Sequence, residues 1–177
     1  MKRIKVITGG IGSGKSYVCN LLRKRGIEVY DCDAAAKRIM RENQDVRRKL
    51  TALIGEDAYQ NGELNKAAVA KFLLESDGNT AAINAIVHPA VADDFMQSKY
   101  EWMESAIYFE ADFGNLIRQM YPQTERPYVV CVSSPLNVRL QRVMQRDGIS
   151  REKALEWINK QISQAEKEER SDYVIKN

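Results

Sequence analysis

The stretch Gly9-Gly10-Ile11-Gly12-Ser13-Gly14-Lys15-Ser16 fits the pattern G-x-x-x-x-G-K-[ST], which is typical of a phosphate-binding P-loop. A short β-branched segment, residues 3–8, precedes it and predicts a strand. The apolar positions 18, 21 and 22 that follow it predict a helix. Strand, glycine loop and helix are the context that the motif needs. We therefore predict nucleotide binding over the alternative, a glycine-rich turn that binds nothing.

The chemistry of such a loop follows from its backbone. Glycines let N–H groups turn toward phosphate oxygens, and the helix N-terminus adds positive partial charge. On this basis Lys15 is predicted to reach the β- and γ-phosphates of a nucleotide. The Ser16 hydroxyl is predicted to ligate Mg²⁺.

Composition and charge exclude several other classes of protein. A chain of 177 residues, 44% hydrophobic and 29% charged, suits a single globular domain with an insertion. The net charge of +3 is too mild to indicate a nucleic-acid or membrane partner. Cys19, Cys32 and Cys131 are dispersed, which favours a reducing, cytoplasmic setting over a zinc site or disulfides. A strand that starts almost at Met1 leaves no room for a signal peptide, and no apolar run approaches the ~20 residues of a membrane span.

Two aspartates follow the second predicted strand, residues 27–30. Ligands in open α/β sheets bind beyond the carboxyl ends of the strands, so Asp31 and Asp33 are expected to share a crevice with the phosphates. The alternative is that either one caps the helix predicted to begin at Ala34. The residues alone leave both roles open.

The region from 34 to 98 is predicted to be helical and to contain no strand. The predicted helices are 34–54 with an interruption near 43–45, 64–75, 80–87 and 90–98. Asn61-Gly62 predicts a turn, Asp77-Gly78-Asn79 a break, and His88-Pro89 the end of a helix. We expect a helical insertion, about 56–98, between two strands of a parallel sheet.

The last third of the chain predicts further strands and a basic helix. Either 100–103 or 106–109 is the third strand, 128–132 is a buried strand, and 172–175 is a final short one. After Pro135, residues Arg139, Arg142 and Arg146 share one helix face. This suits a lid, about 139–168, that closes over a triphosphate. The alternative is a solvated, charged pair of helices.

Several stretches, in order along the chain, resemble the dephospho-coenzyme A kinase family. The matching stretches are Thr8 to Ser16, Gly26 to Asp33 with its D-x-D, Gly62 to Lys66, His88-Pro89, Glu104 to Glu110, Arg142 to Asp147, Gln161, and Ser171 to Asn177. The chain departs from the family pattern at Tyr17, at Asn65-Lys66 and at Glu104, and it ends where the family commonly continues with a further helix.

The resemblance implies an α/β fold of the P-loop NTPase type, with three layers, a central parallel sheet, a helical insertion and a helical lid. It implies transfer of the ATP γ-phosphate to the ribose 3′-hydroxyl of dephospho-CoA, with Asp33 as the base. Asp31 would then cap or brace the turn, or touch the Mg²⁺ shell through water. Arg142 and Arg146 would reach over ATP, and His88 and Lys66 would contact the acceptor. The implied ATP-binding residues are Gly12, Ser13, Gly14, Lys15, Ser16 and Tyr17.

Two other functions remain as alternatives. One is another P-loop kinase that acts on a small metabolite or a nucleoside monophosphate. The other is a GTPase-like switch. Such proteins resemble one another in an N-K-x-D stretch, and in this chain neither Asn65-Lys66 nor Asn159-Lys160 is followed by the aspartate of that pattern. The expected partner is the small-molecule substrate dephospho-CoA, with no nucleic acid or membrane, in a monomer or weak homo-oligomer.

Overall fold

Five parallel strands form the central sheet of this protein in a computed structural model that describes residues 2–76 and 78–177. The strands are β1 (Lys5–Thr8), β2 (Val29–Asp31), β3 (Tyr59–Gln60), β4 (Glu63–Leu64), β5 (Trp102–Glu104), β6 (Tyr128–Ser133) and β7 (Tyr173–Lys176). The sheet order is β2-β5-β1-β6-β7, and β3 and β4 form a separate antiparallel pair. β1 is thus the middle strand, so the loop after it leaves the centre of the sheet's carboxyl edge.

Nine α-helices connect and flank these strands within the described residues. They are α1 (Lys15–Lys24), α2 (Cys32–Glu42), α3 (Gln44–Ile54), α4 (Lys66–Glu75), α5 (Asn79–Gln97), α6 (Phe113–Met120), α7 (Leu136–Asp147), α8 (Arg151–Asn159) and α9 (Gln164–Glu169). A 3-10 helix covers Glu56–Ala58. None of these helices is long and apolar enough to cross a membrane. The predicted α/β fold with a central parallel sheet is confirmed.

The chain divides into two compact units. One comprises Met1–Asp31 together with Lys99–Asn177 and contains the whole parallel sheet; the other is Cys32–Ser98. The second unit therefore takes in α2 and α3 as well as the segment 56–98 that was expected as an insertion.

Two apolar clusters organise the unit that contains the sheet. Ile7, Val130 and Val132 from neighbouring strands pack against Val18 and Cys19 of α1. Buried β-branched runs of this kind are typical of parallel strands covered by helices. The second cluster lies between α7 and α8, and its buried members are Leu140, Val143, Ala154 and Ile158. Ile11 of the P-loop packs against this second cluster, so the α7–α8 pair lies directly on the loop.

The expectation that the middle region contains no strand is wrong. Asn61 and Gly62 adopt φ of 51° and 86° and join β3 to β4 as a two-residue hairpin. Asn-Gly is a favoured dipeptide for such turns because both residues tolerate positive φ. The turn was therefore visible in the sequence, whereas strands of two residues are too short to show a pattern.

The expected helix end at His88-Pro89 is also wrong, because α5 runs through Pro89. A proline inside a helix removes one backbone hydrogen bond. Val87, Val91 and Phe95 of the same helix are buried, and this packing offsets the cost of the lost bond.

Smaller differences concern the ends of elements. The third strand is 102–104, so 106–109 is not a strand. The charged segment 151–168 is two helices, α8 and α9, instead of one. Ser150 caps α8, its hydroxyl accepting from the Lys153 N–H at 3.2 Å. Of the predicted break at 77–79, Asp77 lies outside the described residues, and α5 begins at Asn79.

Candidate active site

The P-loop joins β1 to the first turn of α1, as its sequence predicts. Gly12 and Gly14 adopt φ of +78° and +97°, where side chains other than hydrogen are strained. At Gly12 a Cβ would also lie 2.6 Å from the Arg139 carbonyl oxygen. The loop therefore needs glycine at both positions, for backbone conformation and for close packing. The N–H groups at the start of α1 have no partners within that helix and form a ready site for an anion.

Lys15 lies inside this loop. Lys15 is 9% exposed, and its Nζ donates to the Gly10 carbonyl oxygen at 3.3 Å. An ammonium held under the loop is positioned to neutralise phosphate charge. Ser16 and Tyr17, the next two residues, are exposed, and Tyr17 is 60% exposed.

The carbonyl groups of the loop are bound by side chains from the last third of the chain. Arg139 Nε donates to the Ile11 oxygen at 2.9 Å, and Arg142 Nη1 lies 3.3 Å from the oxygens of both Gly12 and Ser13. Asn177 Nδ2 donates to the same Ser13 oxygen at 3.0 Å. Burial lowers the pKa of Arg139. Sequence analysis did not single out Arg139 or Asn177 for this contact, because only the fold brings them to the loop.

Two carboxylates lie side by side at the carboxyl edge of the sheet. Glu104, the last residue of β5, is in register with Ile7 of β1 on one side and with Asp31 of β2 on the other. Glu104 therefore ends the strand next to β1, which leads into the P-loop, and Asp31 ends the strand beyond it. The negative charge of Glu104 adds to burial in raising the pKa of the neighbouring Cys19 thiol to about 11. All three cysteines are buried, and none of them forms a disulfide among the described residues.

The other predicted site residues lie in different places. Asp33 is in the first turn of α2, which begins at Cys32, so it does not cap that helix. Asp33 and the P-loop belong to different compact units. His88 is half-buried within α5, and Lys66 is the exposed first residue of α4. Arg146 pairs with its neighbour Asp147 at 2.7 Å.

Two unusual hydroxyls bear on whether a nucleotide fits. Within the described residues, the buried side chains of Thr8 and Ser13 have no hydrogen-bond partner. A buried polar group without a partner is costly, so such groups are informative in a loop of this kind. Together with the α1 N-terminus, Lys15 and the Ser16 hydroxyl, they form a polar set that fits the phosphates of a nucleotide and an associated Mg²⁺ ion.

A P-loop on the central strand of a parallel sheet, with arginines from a following helix on the loop, defines a P-loop kinase of small molecules. The family model for dephospho-CoA kinase matches residues 4–177. The chain therefore belongs to the dephospho-CoA kinase family, whose reaction is the last step of coenzyme A biosynthesis, and it is an ATP-using enzyme that acts on a small molecule.

Individual relatives agree with this assignment. The chain is 37% identical over 178 residues to a dephospho-CoA kinase from Bacteroides fragilis, covering 97% of this chain and 82% of that protein. A crystal structure from Thermus thermophilus is similar with a TM-score of 0.78 and 31% identity, covering 100% of this chain and 90% of the other. The dephospho-CoA kinase from Campylobacter jejuni shares the fold, with a TM-score of 0.65, 21% identity, and coverage of 100% and 89%.

Proposed function

We propose that this chain transfers the γ-phosphate of ATP to the ribose 3′-hydroxyl of dephospho-CoA. The O3′–P bond forms as the bond between the γ-phosphorus and the bridging oxygen breaks, ADP leaves, and the hydroxyl proton passes to a base. The observation that carries this proposal is an intact P-loop on β1 and α1 in a chain that matches the family from residue 4 to residue 177.

On the ATP side, the backbone from Gly12 to Ser16 and the Lys15 ammonium hold the β- and γ-phosphates. Positive groups here stabilise charge that spreads over the transferring phosphoryl group. Tyr17, which is exposed on α1, is assigned to the phosphates by the family resemblance. A bound Mg²⁺ would neutralise phosphate charge, and the Ser16 hydroxyl would be a protein ligand of the ion.

Asp31 and Glu104 act at the same edge of the sheet. Glu104 ends β5 beside the strand that leads into the P-loop, and Asp31 is in register with Glu104 on the next strand, β2. Carboxylates near a magnesium site commonly hold its water ligands. We assign both carboxylates to the water shell of the ion. Sequence reasoning assigned no role to Glu104.

Asp33 is the proposed general base. It follows β2 by two residues and belongs to the first turn of α2. A ribose hydroxyl is a poor nucleophile until its proton has an acceptor, and a carboxylate within hydrogen-bond reach supplies one. The family resemblance selects Asp33 for this role, and His88 and Lys66 for contacts to the acceptor.

Arg142 and Arg146 are proposed to stabilise charge on the transferring group. The contacts of Arg142 to the Gly12 and Ser13 carbonyls place its guanidinium on the P-loop already. The side chain of Arg146 would have to leave Asp147 to reach ATP. The proposed setting is the cytoplasm, where the three cysteine thiols remain reduced.

An assay that couples ADP formation to a detectable product tests the proposed acceptor. Purified enzyme is given ATP and Mg²⁺ with dephospho-CoA, with nucleoside monophosphates, or with no acceptor. We expect turnover only in the reaction that contains dephospho-CoA as the acceptor. Equal or faster turnover with a nucleoside monophosphate would support the alternative kinase, and acceptor-independent hydrolysis of GTP would support a switch protein.

A further inference from the structure

Two glutamine side chains hold the first amide groups of the P-loop. Gln164 Oε1 accepts from the Gly10 N–H at 3.0 Å, and Gln161 Oε1 accepts from the Ile11 N–H at 2.8 Å. Both glutamines lie at or just before α9, far along the chain but in the same compact unit as the loop. These two N–H groups are thus bound by protein side chains.

Gln164 uses both ends of its amide. Its Nε2 donates to Cys131 Sγ at 3.2 Å and lies 3.4 Å from the Val132 oxygen, both on β6. Burial raises the pKa of the Cys131 thiol, so the sulfur is uncharged. The amide therefore bridges β6 and Gly10. A Cβ at Gly10 would lie 2.2 Å from the Arg139 guanidinium, so a side chain there would require Arg139 to move.

The segment that carries the glutamines is itself fixed by an ion pair of the buried Lys167. The Lys167 side chain is 0% exposed, and its Nζ donates to Glu110 Oε1 at 2.6 Å and to the Ala106 oxygen at 2.7 Å. Glu110 Oε1 also accepts from the Ile162 N–H at 3.2 Å. A helix of six residues is unstable alone, so these contacts set the position of α9. The glutamines are consequently presented to the loop from a rigid support.

We propose that Gln161 and Gln164 are positioning residues for ATP. They hold Gly10 and Ile11 so that the loop backbone keeps the conformation in which it receives the phosphates. Glycine-rich backbone loses much conformational entropy when it becomes ordered, and contacts that order it beforehand reduce that cost at binding. Losing the two glutamine contacts weakens the binding of ATP more than that of dephospho-CoA. This inference rests on the ATP-dependent activity proposed above.

The test compares Gln161→Met and Gln164→Met, which keep the length of the side chain and remove the amide. Gln119→Met is the control, since Gln119 is exposed on α6, away from the proposed lid. The Kd of a non-hydrolysable ATP analogue is measured by calorimetry at a temperature where every variant is folded. We expect about a tenfold weaker Kd at 161 and at 164, the scale of one lost hydrogen bond, and no change in the control. KM for dephospho-CoA should stay within about twofold, because the lost bonds act on the nucleotide side.

Amide hydrogen exchange adds a second readout that uses different variants. Gln161→Glu keeps an acceptor for the Ile11 N–H, so that amide should still exchange slowly. Gln164→Glu loses the donor to Cys131, so the Gly10 amide should exchange faster. If Gln164→Met does not fold, Gln161→Met and the two Glu variants carry the test. A Kd for the analogue within about twofold of wild type in the folded Met variants would overturn the proposal, even with a lowered Tm. Binding is measured without an acceptor, so this result is independent of whether dephospho-CoA is the substrate.

Discussion

Lys15 combines two properties that rarely occur together, a charged side chain and almost complete burial. Its Nζ lies 3.3 Å from the Gly10 carbonyl oxygen, beneath the loop that is proposed to hold phosphate. A buried ammonium is costly unless partners or a ligand compensate it. The residue therefore favours binding of an anion in this loop.

We expect Lys15→Ala to reduce kcat to well below a tenth of the wild-type value. A phosphate-neutralising charge is lost from the transition state, and a tenfold loss corresponds to ~1.4 kcal/mol. Steady-state kinetics on the folded variant measure this. Lys24→Ala, at the exposed end of the same helix, is the control and should be near wild type. If Lys15→Ala retained more than about a tenth of kcat, the assigned role would be wrong.

Asp33 and Asp31 allow a matched pair of conservative substitutions. If Asp33 is the base, Asp33→Asn should bind both substrates nearly normally and lose kcat by ~10²–10⁴-fold, the usual contribution of a general base. Asp31→Asn should lose less of kcat, because Asp31 is proposed to act on the Mg²⁺ ion only through a water ligand. Measuring kcat and both KM values decides between them. A large defect at 31 with near-normal turnover at 33 would reverse the two roles.

At the scale of the element, α7 carries two arginines with different surroundings. Arg142 binds P-loop carbonyls, whereas Arg146 pairs with Asp147. We expect Arg142→Ala and Arg146→Ala each to lower kcat/KM by ~10²-fold or more, the scale of one lost electrostatic donor. Arg151→Ala, on the exposed first turn of α8, serves as the control. Wild-type kinetics in both α7 variants would contradict a lid function for this helix.

The helix α5 contains His88, and burial lowers the pKa of this imidazole from its ordinary value of 6.5. The unfolded chain then binds a proton more readily than the folded one. The contribution of His88 to stability is therefore present above pH 6.5 and is lost as pH falls from there through the folded-state pKa.

The chain has a single histidine, so proton NMR follows its titration without overlap. We expect a midpoint below 6.5 in the folded protein. Urea unfolding of His88→Asn should show a weaker loss of stability with acid in that window than the wild type shows. A midpoint at or above 6.5 would contradict the burial effect.

At the scale of the whole molecule, local sequence patterns predicted the parallel sheet and the phosphate loop well. The patterns are strong at β1 and β6, because buried parallel strands are continuous apolar runs. The pattern is strong at the start of α1, because the phosphate loop requires glycines at fixed positions. The β3–β4 hairpin and the passage of α5 through Pro89 were missed. The first is too short to show periodicity, and the second depends on the packing of Val87, Val91 and Phe95.

Contacts made across long sequence separations could not be predicted in the same way. Arg139, Gln164 and Asn177 reach the loop only because β6, α7, α9 and β7 assemble beside β1. Nothing in their local sequence distinguishes them from solvated polar residues. The arginine spacing on α7 was visible, but which arginine binds the loop depends on the tertiary structure.

The central claim is that this chain phosphorylates dephospho-CoA at the ribose 3′-hydroxyl. The most direct measurement is phosphorus NMR of the product formed from ATP and dephospho-CoA by the purified enzyme. We predict one new phosphomonoester signal that couples to the ribose 3′ proton, formed in equal amount with ADP. ADP formation without that signal, or a phosphate on another position, would contradict the account.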